Sequence, residues 1–104
     1  MRQTSIDAYY EMERRGALKG LRLEVMRVLA FAEEPMTAGE VAMKIPGTLG
    51  HSITPRFAEM KRMGIIIDVG ARPCKVTNIN ALVWVPTGKV LAGKEADQSL
   101  LEID

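Results

Sequence analysis

Apolar residues recur along the first two thirds of the chain at helical spacing, then gather into short β-branched runs. Ile6, Tyr9 and Tyr10, with Glu13 as the next step, make a short stripe that fades into Arg14-Arg15. Ser5 as N-cap, Asp7 in the first turn and Gly16 as a stop predict a helix over about 5–15. Leu18, Leu21, Val25, Val28, Leu29 and Ala32 keep the 3.6 period and predict the longest helix, over about 17–33. Gly20 lies inside that span, where glycine costs roughly 1 kcal/mol relative to alanine, and marks a kink or a close approach. Glu34-Pro35 closes the segment.

The stretch from Met36 to Gly64 reads as two short helices joined by a tight break. Such a pair is a device for holding one helix against a DNA groove. Thr37-Ala38-Gly39-Glu40 is a capping box opening a helix over about 37–45, with Val41, Ala42 and Ile45 on its buried side. Pro46 cannot continue the helix, and Gly47 tolerates the turn after it. The next helix is predicted over about 52–63, with Ser52 as N-cap and Pro55 in the first turn. Ile53, Phe57, Met60 and Gly64 share its buried face, and Gly64 is the expected left-handed stop.

At roughly 100° per residue, the opposite face carries His51, Ser52, Pro55, Ala58, Glu59 and Arg62, with Arg56 and Lys61 beside it. Its N-terminal half is small and polar, so a duplex could approach closely, and Arg56 and Arg62 could meet phosphates or guanine edges. The plain alternative is a solvated face of a surface helix. Glu59 argues mildly against DNA unless it orients Arg62 or accepts from a cytosine amine.

Ile65 to Val69 is short and β-branched, a strand over about 65–69. Gly70-Ala71-Arg72-Pro73 is a turn, and Ala81 to Pro86 is the return strand, over about 81–86. The two make a hairpin with a tip of about a dozen residues, long for a hairpin, whose cations are Arg72 and Lys75. A solvated loop with two ordinary charges is the competing view of that tip. Residues 87–104 thin out into a tail with Leu100, Leu101 and Ile103 as its apolar residues.

The order helix, helix, SITPRFAEMKRMGII, then a hairpin ending in ALVWV resembles the winged-helix DNA-binding domains. The closest likeness is to small winged-helix proteins encoded by phages and prophages, and more loosely to MarR-like repressors. It covers roughly residues 5–88, and its specific part also includes Gly70-Ala71-Arg72 and Val83-Trp84. The resemblance implies an α+β, mainly α, winged helix-turn-helix domain over 1–88, followed by a flexible tail over 89–104. It also implies a wing lying along the phosphate backbone or in the minor groove, and a short extra strand near Met36. Winged helices also serve as protein-interaction modules, so the likeness speaks more to fold than to function.

Composition sets further bounds. The 104 residues are 47% hydrophobic and 26% charged, an ordinary globular chain of one domain with a single modest core. The net charge of +1 is weak support for a nucleic-acid partner, but its distribution is uneven. Residues 51–89 hold six basic side chains (Arg56, Lys61, Arg62, Arg72, Lys75, Lys89) against two acidic ones (Glu59, Asp68), giving +4. Positive charge therefore collects in the second helix and the hairpin, as a DNA footprint would. No apolar run is long enough to span a bilayer, and MRQTSIDAYY lacks the apolar stretch of a secretion signal. With one cysteine, Cys74, a reducing cytoplasmic compartment is the expectation.

Catalysis lacks parts. There is one histidine, one cysteine, no metal-ligand spacing, no placed carboxylate pair and no phosphate loop, so the chain reads as a non-enzyme without metal or cofactor. Cys74 beside Arg72 and Lys75 is either a redox sensor in an exposed tip or an incidental thiol. The expectation is a double-stranded DNA-binding regulator of transcription or replication, from a bacterium or its phage. Its DNA contacts would be His51, Ser52, Thr54, Pro55, Arg56 and Arg62 from the helix and Arg72 and Lys75 from the wing. Duplex sites are usually read by two-fold dimers; Tyr9 and Tyr10 pack on their own core or dock on a second copy, for which the tail is the other candidate. The rival is a protein-interaction module on the same fold that never touches DNA, favoured by the near-neutral charge, Glu59 and the acidic tail.

Overall fold

The computed structural model describes residues 2–48 and 50–91. Among them the chain is α+β and mainly helical, in the order α1 (Arg2–Arg15), α2 (Gly20–Phe31), β1 (Met36–Thr37), α3 (Ala38–Met43), α4 (Gly50–Met63), β2 (Ile66–Pro73) and β3 (Asn80–Pro86). The strands form one antiparallel sheet, ordered β1-β3-β2.

The first helix begins earlier than Ser5. Ser5 is not its cap but an inward-facing residue, buried with Ala8, Tyr9 and Met12 along one side. At the other end Gly16 takes φ +70, with Gly16 N–H donating to Glu13 O and Ala17 N–H to Met12 O. That pair of bonds is the glycine-terminated C-cap in which the residue after the glycine packs on the last turn, and Ala17 and Met12 are both buried. Gly64 (φ +81) repeats the device on α4, with Gly64 N–H bonded to Lys61 O and Ile65 N–H to Met60 O. Ile65 is thereby turned inward onto Met60.

The second helix is shorter than its apolar period suggests. Ala17 and Leu18 are buried in the connection, and Gly20, at φ +60, opens α2 instead of weakening its middle. Apolar period marks burial, and a buried connection carries it as well as a helix does. The capping box forms as expected: Glu40 N–H donates to Thr37 Oγ1 and Thr37 N–H to Glu40 Oε1, both at 3.2 Å. The following helix starts at Gly50, so Ser52 lies within it and Pro55 falls in its second turn, not its first.

The hairpin differs most. Its strands run on to a Pro73–Asn80 pair, leaving residues 74–79 as the tip instead of about a dozen. A bulge at Val69, between the Asp68–Trp84 and Gly70–Val83 pairs, carries β2 past the glycine that looked like a turn. Pro73 is tolerated because it ends an edge strand. Cys74 N–H bonds to Ile79 O and Asn78 N–H to Cys74 O, which closes the tip.

The core unites Ile53, Phe57, Met60 and Met63 of α4 with Val25, Met26 and Leu29 of α2, Met12 of α1, and Ile65 and Ile66. Trp84 lies against Phe57, ring centres 5.2 Å apart. Thr87 N–H donates to Ile65 O, Lys89 Nζ to Met63 O, and Leu91 is buried, so residues 89–91 belong to the body and not to the expected tail. Leu100, Leu101 and Ile103 lie outside the described residues. No helix among those described is long and apolar enough to cross a membrane.

Candidate nucleic-acid interface

Burial of Ile53, Phe57, Met60 and Met63 fixes which side of α4 faces out. The outward strip carries His51, Thr54, Pro55, Ala58, Lys61 and Arg62, all exposed, with Ser52, Arg56 and Glu59 half-buried on the flank. Arg62 makes no hydrogen bond or ion pair among the described residues. Lys61 Nζ lies 2.7 Å from Asp68 Oδ1, so the helix side nearest β2 is neutralised. On the other flank Glu59 turns to Arg56 (3.1 Å) and to Arg22 of α2 (3.6 Å). Glu59 therefore does not orient Arg62, as the spacing of three had suggested.

Between α4 and the hairpin runs an open cleft of about 480 Å³, walled by Ala58, Phe57, Trp84, Leu82 and Ala38, with Lys61 at its edge. Arg72 and Lys75, the expected hairpin cations, do not line it. Arg72 lays Nη1 on Glu40 Oε2 and Nη2 on Glu40 Oε1, each at 2.6 Å, and Nη2 also donates to Pro35 O at 2.9 Å. Lys75 N–H adds a bond to Glu40 Oε2 at 2.9 Å, and Lys75 Nζ lies 2.6 Å from Glu34 Oε1. Both cations are thus turned to the corner between α2 and α3. Their acidic partners come from the first half of the chain, where net charge by segment gave no sign of them.

Glu40 is the hub of this corner. The residue is 7% exposed, and its carboxylate accepts from the α3 cap, from Arg72 and from the hairpin backbone. The Arg72 hydrogen bonds hold its pKa at about 2, against the upward pull of burial. The capping spacing identifies one of these roles; the rest join residues 32 and 35 positions apart, which spacing cannot reveal.

Cys74 is buried, at 2% exposure, and is not a thiol of an exposed tip. Thr37 Oγ1 donates to its sulfur at 3.0 Å, and this bond, with the Thr77 and Val76 backbone, draws the thiol down to about 7. Among the described residues no three His, Cys, Asp or Glu side chains group as a metal site would require. Of the two tyrosines, Tyr9 is buried, while Tyr10 is 54% exposed and stands edge-on to the part-exposed ring of Phe31 at 6.1 Å.

The chain matches no family model, no curated protein and no solved structure.

Proposed function

We propose that the protein is a winged helix-turn-helix that binds double-stranded DNA as a regulator of transcription or replication, with α4 in the major groove. The observation carrying this reading is the outward strip of α4. Its small and polar residues His51, Thr54, Pro55 and Ala58 offer close approach, and Arg62 supplies a guanidinium with no partner among the described residues. Ser52 and Arg56 reach the backbone from the flank. Lys75 reaches a phosphate by exchanging Glu34, an exposed pair that holds it weakly. Arg72 stays with Glu40, and its part is to set the hairpin's position.

A second reading, a protein-interaction module, draws on the exposed apolar side chains. Phe31, Met43 and Val76 line one groove with Lys75 and Glu34, and Tyr10 extends it beside Phe31. Titrating the purified protein onto a mixed-sequence labelled duplex from low to physiological salt separates the two. Affinity that falls steeply with salt marks phosphate neutralisation. Absence of binding at low salt removes the DNA reading and leaves the apolar groove as the surface to pursue.

A further inference from the structure

We infer that Arg22 and Arg56, which share Glu59 between α2 and α4, form a seat for a backbone phosphate on the flank of α4 away from the hairpin. The inference rests on the DNA reading above and adds to it a residue, Arg22, that lies in the second helix, outside the stretch the sequence points to.

The arginines that join one element to another pair in contrasting ways among the described residues. Arg72 and Glu40 make a fork with both nitrogens on both oxygens at 2.6 Å, the geometry of a pair that satisfies itself. The Glu59 cluster is different. Arg22 Nε stands 3.6 Å from Glu59 Oε1, too far for a hydrogen bond, and Arg56 Nη2 is 3.1 Å from Oε2. Arg56 Nε and Glu59 Oε1 are both buried and make no hydrogen bond among the described residues. One carboxylate thus faces two guanidiniums, each with five N–H donors, and the cluster retains a net positive charge. Both guanidiniums keep access to solvent, with side chains 26% and 31% exposed.

Position decides the ligand class. A helix lying in the major groove, ~12 Å wide, has a phosphate strand along each flank. On one flank of α4, Lys61 is neutralised by Asp68. On the other, Glu59 and its two arginines hold spare positive charge and spare donors. A phosphodiester oxygen accepts from both guanidiniums and displaces none of the core contacts. Glu59 then acts as a positioning residue that keeps the two cations together.

The test measures log affinity against log salt on one duplex for the full chain and for Arg22→Gln, Arg56→Gln and Glu59→Gln, each with a thermal melt. For a phosphate seat, each arginine variant lowers the slope by about 0.9 per lost phosphate contact, and Arg22→Lys restores it. Glu59→Gln, which removes the competing carboxylate, binds more tightly even where it melts earlier. If the unmodified protein binds while the slope stays unchanged in Arg22→Gln and Arg56→Gln, the seat is overturned and the DNA reading stands. A Glu59→Gln variant that melts earlier and binds no tighter makes the cluster a structural tie and overturns the seat as well. No binding by the unmodified protein overturns both.

Discussion

Arg72 and Glu40, 32 residues apart, meet in a two-pronged ion pair that fastens the hairpin to the first turn of α3. Glu40 also closes the capping box with Thr37 and accepts the Lys75 backbone N–H. One carboxylate therefore sets where α3 starts and where the hairpin stands relative to α4.

Removing Arg72 leaves the Glu40 carboxylate buried without its counter-ion, and removing Glu40 leaves Arg72 only the Pro35 and Pro73 carbonyls and the more distant Glu34. Glu40→Ala and Arg72→Ala are each expected to destabilise the fold, Glu40→Ala by about 3 kcal/mol, the low end for a broken buried pair because Arg72 keeps some solvent. Urea unfolding curves check this. Arg72→Lys should fall with the alanine variant, since an ammonium cannot reproduce the fork. Equal stability of Arg72→Lys and the unmodified protein would refute the role given to the fork.

The same pair predicts the response to acid. Bonding to Arg72 lowers the Glu40 pKa from 4.5 to about 2 in the folded chain. A depressed carboxylate contributes its stability in full above its unfolded value and loses it as pH falls toward the folded one. Asp68, held down by Lys61, and Glu34, held down by Lys75, act in the same direction. Stability should therefore decline between about pH 4.5 and 2, and Glu40→Gln, less stable at neutral pH, should show a shallower decline. Parallel pH profiles for the two proteins would count against Glu40 as the main titrating group.

Gly39 and Cys74 make a second tie between α3 and the hairpin. A Cβ on Gly39 would stand 3.0 Å from the buried Cys74 sulfur. Alanine at position 39 gains about 1 kcal/mol in helix propensity but must push that sulfur aside. In the Cys74→Ala background the obstruction is gone, so Gly39→Ala should be more favourable there by about 1 kcal/mol or more. A double-mutant cycle in urea measures the coupling, and a value near zero would mean the sulfur yields freely. Cys74 itself should react with a thiol reagent slowly when native and at once in denaturant, because burial limits access despite its lowered pKa.

How far these ties were legible in the sequence depends on their range. Gly16 and Gly64 as helix stops, the Thr37–Glu40 box and the inward face of α4 are local, and spacing alone revealed them. The hairpin was misjudged because Gly70 and Pro73 look like turn residues, whereas a bulge and an edge position absorb them. On α4, helical spacing places His51, Pro55, Ala58 and Arg62 outward, where the structure has them, but also Ser52 and Glu59, which are half-buried on the flank, while Thr54 and Lys61 complete the exposed strip. The engagement of Arg72 with Glu40, of Lys75 with Glu34 and of Arg22 with Glu59 was not legible, since each joins residues brought together only by the fold.

Arg62 separates binding from folding most cleanly. Its side chain is exposed on the outward strip of α4 and makes no tie within the described residues. Arg62→Ala should leave the urea midpoint within about 0.5 kcal/mol of the unmodified protein, as surface substitutions do. If α4 reads the major groove, the same change should cost about 1–3 kcal/mol of specific duplex binding and relax discrimination at one base position. Lys75→Ala, by contrast, should weaken all duplexes alike, and Arg72→Ala should lose stability first. Competition binding on a randomised duplex pool distinguishes these patterns. Unchanged affinity and unchanged base preference for Arg62→Ala would remove Arg62 from the interface, whatever the protein's overall affinity for DNA.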